Sequence, residues 1–420
     1  MTKRGLMIST FSTALLAAGA CLAADHPGQK FQISPASLAK PYATPAVANK
    51  SFTIPRPAGA MPKVPKGFQV SLFADNLSDP RWMAVAPNGD IFLAEPPGDY
   101  KARGGGKITV LRDSDNDGKA DQRFTFLPAS AGFVYPHGLA FHAGYLYVGD
   151  VRGIWRFPYA NGQTAAGKPE KVTSKVADLA PKNGHITRNI AFGPDGGLYL
   201  ALGSRDNISD FKPGAQVFKI NADGSMSEFA SGIRNPVGIA FAPGTNNLYV
   251  VTNERDGLGD NLPPDYLTSV KQGGFYGYPY AYTGKNPAPV WGAKDPGGKV
   301  ASTITPDVLF HAHSAPTGLV FYAGSNFPDA YKNDAFVSLH GSWNAGNPTG
   351  YKVVRVRFAG GKPVNGYENF ATGFWNGIGN SGEPAKVWGR PVGLAVAKDG
   401  SLLIADDVAN VVWRVTYTGK

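Results

Sequence analysis

The 420-residue sequence predicts an all-β protein, a six-bladed β-propeller of four-stranded blades. Two observations lead to this prediction. A unit made of an apolar strand, a turn and a second strand recurs six times along the chain. The composition, with 53 glycines, 34 prolines and 12% aromatic residues, favours short strands joined by turns over long helices. A β-sandwich is the alternative fold, but it does not explain six similar units.

The repeated unit begins at Trp82, where the sequence is WMAVAPNGDIFLAE. Related units begin at Gly138, Asn189, Gly238, Gly318 and Gly393. The intervals between them leave room for two further strands each. We therefore predict additional strands at residues 107–111, 153–157, 216–220, 351–358 and 411–417. The first five blades are expected to start near Val70, Phe124, Val176, Met226 and Ile304, and the sixth to close the ring near the C-terminus.

The chain divides into three predicted regions. Residues 1–24 have the features of a signal peptide, because Lys3 and Arg4 precede a short apolar stretch and small residues. Polar residues interrupt that stretch, so no stable membrane insertion is expected and the protein should be exported to the periplasm or the medium. Residues 25–66 form a proline-rich extended leader, and residues 67–420 form one catalytic propeller domain.

Cysteine content and charge restrict the chemistry. Cys21, the only cysteine, would leave with the signal peptide, so disulfides, thiolate metal sites and covalent haem attachment are excluded. Any redox chemistry then needs a non-covalent cofactor. Loss of Lys3 and Arg4 lowers the formal charge from +10 to +8, which suits an anionic ligand or an acidic electron-transfer partner, although solubility alone would also explain it. No nucleic-acid partner is expected.

Basic and polar residues stand just before the repeated strands, and all six predicted blades contribute at least one. They are Arg81, His137, His185, Arg188, Asn189, Arg234, Asn235, His313 and Arg390. In a propeller these positions converge on one end of the central channel. A lone arginine there is usually a rim group and a lone histidine is commonly structural, but together they indicate a multiply anionic ligand. His185, in a loop after Asn-Gly, is the best candidate for a general base.

Several motifs resemble the soluble pyrroloquinoline quinone (PQQ)-dependent glucose, aldose and sorbosone dehydrogenases. The resemblance runs from about Val64 to the C-terminus. Its motifs are NGHITRNIAFGPDG at Asn183, SGIRNPVGIAF at Ser231 and KQGGFYGYP at Lys271. It is closest to the sorbosone and pyranose dehydrogenase branch, through PRWMAVAPNG at Pro80, NERDGLGD at Asn253, HSAPTG at His313 and HGSWN at His340.

This resemblance implies a role for individual residues. His185 matches the catalytic base, and Arg234 and Asn235 match the residues that hold the quinone edge and face the reacting carbonyl. The backbone carbonyls of Asp256 and Gly257 match ligands of a calcium ion that accompanies PQQ. The cofactor-binding set is completed by Arg390, which meets PQQ carboxylates, and by Arg81, His313 and His340 in the pocket wall. The sequence departs from the glucose-type enzymes at His313 and around His340.

The implied activity is oxidation of a sugar or sugar aldehyde by hydride transfer to PQQ with calcium assistance. His185 would take the proton of the substrate hydroxyl, while Arg234 and calcium stabilise the developing oxyanion. Since no haem site is present in the sequence, a separate electron acceptor, a cytochrome or a quinone, is expected. Two other functions remain open, a metal-dependent propeller lactonase and a non-catalytic glycan-binding propeller.

A second calcium site is a weaker prediction. Asp113, Asp115, Asp117 and Asp121 have the spacing of an EF-hand-type loop, but Phe124 stands where that loop needs glutamate. A plain aspartate-rich turn between two strands is the alternative.

Overall fold

The computed structural model describes residues 24–98, 105–179, 184–376 and 382–420. Apart from Ala24, the predicted signal peptide lies outside these residues. The predicted all-β class is confirmed, because the described residues form one four-residue α-helix, Lys299–Ser302, beside many strands. Short 3₁₀ turns lie at Pro35–Ser37, Ala129–Ala131, Gly292–Lys294 and Asp329–Tyr331. None of the described helices has the length and apolar character needed to cross a membrane.

Within the described residues the strands form six main sheets, numbered here in chain order. Sheet 1 contains Met83–Val85, Ile91–Glu95, Lys107–Arg112 and Gln122–Leu127. Sheet 2 contains Gly138–His142, Tyr145–Asp150, Gly153–Pro158 and Glu170–Lys171. Sheet 3 contains Ile190–Phe192, Leu198–Leu202, Gln216–Ile220 and Met226–Ser231, extended by the parallel strand Gly274–Phe275.

The remaining three sheets carry the longer loops. Sheet 4 contains Asn235–Phe241, Leu248–Asn253, Pro264–Val270 and Val308–Ala312. Sheet 5 contains Pro316–Phe321, Ala335–Leu339, Lys352–Ala359 and Lys362–Ala371, extended by Lys30–Phe31. Sheet 6 contains Pro391–Val396, Leu402–Asp406, Val411–Tyr417 and Phe68–Ala74. Short strand pairs outside these sheets are Ala281–Tyr282 with Asn286–Pro287, and Trp375–Asn376 with Lys386–Val387, which also pairs with Phe52–Thr53.

The five additional strands predicted from the sequence are confirmed, but the predicted blade starts are wrong. Val70, Phe124 and Met226 lie in the last strand of a sheet, not the first, and Val176 and Ile304 lie outside strands. Each sheet in fact begins at or next to the repeated unit itself. A period fixes the length of a repeat but not its phase, so sequence periodicity could not show which strand of the repeat comes first.

The six sheets form a ring. Their first strands contact one another in sequence order, and the first strand of sheet 6 returns to that of sheet 1. Neighbouring sheets share an apolar core, such as Phe92 and Phe126 of sheet 1 with Leu146 and Phe157 of sheet 2. The ring is closed by Phe68–Ala74, which pairs antiparallel with the C-terminal strand of sheet 6.

Glycine at the start of the repeated unit has a steric cause. A Cβ atom on Gly393 would lie 2.1 Å from the carbonyl oxygen of Arg81, which enters the next sheet. A Cβ atom on Gly138 would lie 2.3 Å from the carbonyl oxygen of Arg188 in the same way. Such distances are far below van der Waals contact, so the innermost strands approach this closely only without a side chain.

The leader packs along the outer edge of sheet 5. Lys30 and Phe31 pair antiparallel with Glu368 and Tyr367. The Asp25 carboxylate lies 2.9 Å from the Nζ atom of Lys352, whose side chain is 3% exposed. Burial lowers the pKa of Lys352, against the opposing charge of Asp25. The leader thus supplies the counter-charge of a cation that the sheet buries.

Removal of that counter-charge should destabilise the fold. Replacing Asp25 by alanine leaves Lys352 buried and unpaired, so we expect the free energy of unfolding to fall by about 1–3 kcal/mol. This loss is smaller than for a fully buried ion pair because Asp25 is itself partly exposed. Chemical denaturation of the chain with its leader measures the loss. The control Glu170→Ala breaks the exposed ion pair with Arg156 and should cost less than about 1 kcal/mol. Equal losses in both variants would contradict a structural role for Asp25.

Candidate active site

Arg234 directly precedes the first strand of sheet 4 and is 6% exposed. Its guanidinium donates to the carbonyl oxygens of Asn207, Asn253 and Glu254 at 3.0, 3.2 and 2.7 Å. It also donates to the side-chain oxygen of Asn207 at 3.1 Å. Within the described residues it forms no ion pair with a carboxylate. Carbonyl oxygens, not a salt bridge, therefore hold its guanidinium in place.

Asn207 is a residue that the sequence analysis missed. Its side-chain oxygen accepts hydrogen bonds from Arg234 and from the backbone N–H of Asp256, the latter at 2.8 Å. Its side-chain nitrogen donates to the carbonyl oxygen of Asp256 at 3.3 Å. Asn207 therefore fixes Arg234 relative to the Asp256 loop. The loop carries no repeat motif, so only the fold reveals this role.

His185 lies in the loop that leads to the first strand of sheet 3. Its Nδ1 atom donates to the carbonyl oxygen of Ser204 at 2.8 Å, and the N–H of Ser204 donates to the carbonyl oxygen of Arg234 at 2.7 Å. Because a carbonyl oxygen only accepts, the proton is on Nδ1 and the lone pair is on Nε2. Burial, together with the charge of Arg234, lowers the pKa of His185 to about 3. The imidazole is therefore neutral with an unprotonated Nε2 atom.

Asn235 is the first residue of sheet 4, and its side chain lies near His185. Its side-chain oxygen is buried without a hydrogen-bond partner among the described residues. Gly203 makes room for both side chains, since a Cβ atom there would lie 2.4 Å from that oxygen and 2.6 Å from the Cβ atom of His185. A buried acceptor without a partner costs free energy, which a bound donor would recover.

Asp256 lies after the second strand of sheet 4, in a loop that continues through Gly257. His313 Nδ1 lies 3.6 Å from the Asp256 carboxylate, and the Asn344 side chain donates to the same oxygen. Burial raises the pKa of Asp256, but the interaction with His313 and the charge of Arg234 outweigh it and hold that pKa below its usual value. Burial lowers the pKa of His313, but its hydrogen bonds to Asp256 and Gly259 raise it overall.

A second cluster is organised by Asp407, which directly follows the second strand of sheet 6. Its carboxylate lies 3.0 Å from Arg81 and 2.8 Å from His340 Nε2. Burial raises the pKa of Asp407, but Arg81 and His340 outweigh this and hold it far below its usual value. Arg390 instead donates to the carbonyl oxygens of His340 and Gly341, each at 3.0 Å. We call Arg81, His340, Arg390 and Asp407 the Asp407 cluster.

Backbone hydrogen bonds join the Asp407 cluster to the segment that directly follows His313. The N–H of His340 donates to Ala315 at 2.9 Å, and the N–H of Gly341 donates to Ser314 at 3.0 Å. Gly341 has a φ of +103°, and a Cβ atom there would lie 2.1 Å from the ring of Tyr351. Only glycine therefore fits the turn whose carbonyl oxygen holds Arg390.

Three of the basic and polar residues noted in the sequence are packed into the ring wall. His137 is 1% exposed and bonds to the side chain of Asn189 at 2.8 Å, and burial lowers its pKa to about 3. Arg188 is also 1% exposed and donates to the carbonyl oxygen of His185 at 2.9 Å. These three residues hold the His185 loop and the neighbouring strands.

The aspartate-rich loop in sheet 1 has its own contacts, which are separate from those of Arg234 and from those of the Asp407 cluster. One carboxylate oxygen from each of Asp113, Asp115 and Asp117 lies within 4.8 Å of the others. Asp121 does not join them, because its carboxylate accepts from the backbone N–H of Ser114 at 2.8 Å and from the Ser114 hydroxyl. A second calcium ion held by Asp113, Asp115, Asp117 and Asp121 stays a prediction.

Two buried acids beside Arg234 were also missed. Glu254 and Asp265 are 7% and 2% exposed, and burial raises their pKa values to about 7 and about 6. The Asp265 carboxylate accepts from the N–H groups of Glu254 and Ala315, each at 2.8 Å. It therefore ties the loop that holds Arg234 to the loop of His313. The sequence signal was weak, because a single acid within a strand has no distinctive spacing.

The tautomer of His185 can be tested directly. Because Nδ1 is bonded to a carbonyl oxygen and the pKa is about 3, we expect ¹⁵N NMR of the ligand-free protein to show a protonated Nδ1 and an unprotonated Nε2. This pattern should persist between about pH 5 and about pH 8, where an unperturbed histidine changes its charge. A His185→Asn variant assigns the signals. A protonated Nε2 in that range would contradict the geometry.

Comparison with known proteins places this arrangement in a family. The model of the TrAA12-like family matches residues 62–418. An uncharacterized protein of Borreliella burgdorferi is 31% identical over 375 residues, which are 84% of this chain and 90% of that protein. The PQQ-dependent pyranose dehydrogenase of Coprinopsis cinerea is 25% identical over 235 residues, 44% of this chain but only 30% of that enzyme.

Solved structures agree with the fold. A Trichoderma reesei member of carbohydrate-active enzyme family AA12 matches with a TM-score of 0.69 at 20% identity, over 88% of this chain and 98% of that chain. The PQQ domain of Coprinopsis cinerea pyranose dehydrogenase, in its holo form, matches with a TM-score of 0.67 at 20% identity, over 87% and 98% of the two chains. The resemblance inferred from the motifs is thus confirmed, and the chain belongs to the TrAA12-like family.

Proposed function

We propose that this protein is an exported quinoprotein that oxidises a sugar or sugar aldehyde with PQQ and calcium, on a propeller whose six blades are sheets 1 to 6. One observation carries the proposal: Arg234 and Arg390, at the entry to two first strands, are held by carbonyl oxygens and form no ion pair among the described residues. Positive charge that is positioned but not neutralised suits a ligand with several carboxylates, as PQQ has.

Other features of the site fit the same cofactor. The unpartnered side-chain oxygen of Asn235 lies near His185 and would offer an acceptor to a bound molecule. Arg81 and His340 would complete the cofactor wall, although both already contact Asp407. The Asp256–Gly257 backbone would hold calcium, supported by an Asp256 carboxylate whose lowered pKa keeps it ionised.

His185 would act as the general base. When bound, PQQ supplies a two-electron acceptor for the hydride that leaves the substrate carbon. His185 Nε2 would accept the proton of the substrate hydroxyl, since Nδ1 is committed to Ser204. Its pKa of about 3 belongs to the ligand-free site, and an anionic cofactor would raise that pKa towards the working pH. Arg234 would face the negative charge that grows on the substrate oxygen.

The names of the relatives support the substrate class and the cofactor. One is a PQQ-dependent pyranose dehydrogenase, and one belongs to a carbohydrate-active family. A sugar or its aldehyde hydrate would supply the hydroxyl that His185 deprotonates. A separate cytochrome or quinone would then reoxidise the cofactor, and the net charge of +8 after export would make the encounter with an acidic partner sensitive to salt.

Reconstitution tests the function. The purified protein should reduce a dye with aldoses or sugar aldehydes only when PQQ and calcium are both present. Omission of either component, and addition of a chelator, serve as controls. Hydrolysis of sugar lactones without a quinone would favour the lactonase, and glycan binding without dye reduction under any of these conditions would favour a binding propeller.

Substitutions at the site should separate catalysis from cofactor binding. His185→Ala should lower kcat by about 100-fold or more with nearly unchanged PQQ affinity, because a general base contributes to the chemical step. Arg390→Ala should mainly weaken PQQ binding, by about 1.5–3 kcal/mol for one lost charge-assisted contact. Arg234→Ala should show both defects.

Steady-state kinetics and PQQ titration of the same preparations measure the two effects. His26→Ala, in the exposed part of the leader, is the control and should match the unmodified protein. A His185→Ala protein that is saturated with PQQ and calcium and turns over at the normal rate would overturn the proposed base.

A further inference from the structure

A cavity of about 480 Å³ lies between the leader and the outer strands of sheets 4 and 5. The leader contributes Asp25, Phe31 and Lys63, and the sheet loops contribute Asp260, Asn261 and Trp375. None of His185, Arg234, Asp256 and Arg390 lines it. Its volume lies within the range of small-molecule sites, which is roughly 300–1,000 Å³. The proposed cofactor site does not account for this cavity.

The charged side chains around the cavity balance in number. Its wall contains two carboxylates, Asp25 and Asp260, and two ammonium groups, Lys63 and Lys352. Asp25 pairs with Lys352, while Asp260 accepts from the N–H of Gly346 at 2.8 Å. An anion or a cation would therefore find little net attraction here, in contrast to the arginine-rich cofactor site. A neutral polar ligand is favoured.

The wall also offers the contacts that a sugar ring uses. The exposed amides of Asn261 and Asn347 each provide donors and an acceptor, and these match hydroxyl groups, which both donate and accept. Trp375 is partly exposed and packs against Tyr351, with ring centroids 5.6 Å apart. A fixed indole ring provides a flat apolar surface for the C–H face of a pyranose.

One loop separates this cavity from the proposed active site. Asn344 faces the active site and donates to the Asp256 carboxylate, while Ala345, Asn347, Pro348 and Thr349 line the cavity. Asn49 of the leader holds the middle of the loop by donating to the carbonyl oxygen of Gly346 at 3.0 Å. The two sites are therefore distinct but share a wall.

We propose that this cavity binds a neutral saccharide of one or two sugar units, at a site separate from the reaction centre. The observations behind this proposal are the size of the cavity, the balance of its charged side chains, its two exposed asparagine amides and the partly exposed Trp375 packed against Tyr351. Because the cavity is lined by groups outside the cofactor site, binding here requires neither PQQ nor calcium.

The test uses the ligand-free protein, without PQQ or calcium, titrated calorimetrically with D-glucose, cellobiose and, as an anionic probe, D-gluconate. Saturable binding of a neutral sugar is expected, with a Kd of about 1 mM, and weaker binding of gluconate. Asn261→Ala and Trp375→Ala should each raise that Kd by about tenfold, which corresponds to about 1.4 kcal/mol. Phe52→Ala removes an exposed leader aromatic that does not line the cavity and should have no effect.

Asn261→Ala should also leave kcat with a monosaccharide unchanged in the reconstituted enzyme, because this side chain does not line the reaction site. If Trp375→Ala fails to fold, the double variant Asn261→Ala/Asn347→Ala gives the same test with exposed side chains. The proposal is overturned if neither neutral sugar binds, if gluconate binds more tightly, or if the cavity variants bind as well as the unmodified protein. A protein without dehydrogenase activity that still binds cellobiose would refute the proposed function but not this site.

Discussion

The close approach of six innermost strands around one axis is the constraint on which the rest of this structure depends. At Gly138 and Gly393 the neighbouring strand comes so near that a Cβ atom would overlap a carbonyl oxygen. This packing keeps side chains out of the start of the strand. Arg81, Arg234 and Arg390 stand just before the first strands of three sheets, and contacts through Asp407, His340 and Asp265 link their loops.

Buried cations need negative charge or oriented dipoles close to them. The ring provides these unevenly to the cations at its strand starts. In the Asp407 cluster one carboxylate serves Arg81 and His340, so part of the positive charge is neutralised. Arg234 is instead held by carbonyl dipoles, which orient the guanidinium without cancelling its charge. Burial, together with the positive charge of Arg234, keeps the His185 imidazole neutral. This arrangement is the basis on which we propose an anionic ligand and a proton transfer to His185.

The segments outside the six main sheets connect these parts. The leader supplies Asp25 to Lys352 and closes one side of a cavity, and the loop from Ser342 to Thr349 supplies Asn344 to Asp256. Asp265 bonds two loops of different sheets at once. Long loops on a rigid ring thus act as structured walls, because each is fixed by hydrogen bonds to a neighbouring sheet.

The sequence by itself determined the all-β class, the additional strands and the residues that stand before the repeated strands, since these depend on local periodicity and turn composition. It did not determine the phase of the repeat, because a period has no intrinsic starting point. The partners of the candidate site were beyond it too. Asn207, Asp407 and Asn344 contact Arg234, His340 and Asp256 across separations of 27, 67 and 88 residues. Such pairs exist only once the ring has closed. Tertiary structure alone therefore decided which charges are neutralised and which tautomer His185 adopts. It also decided where the cavity beside the leader opens.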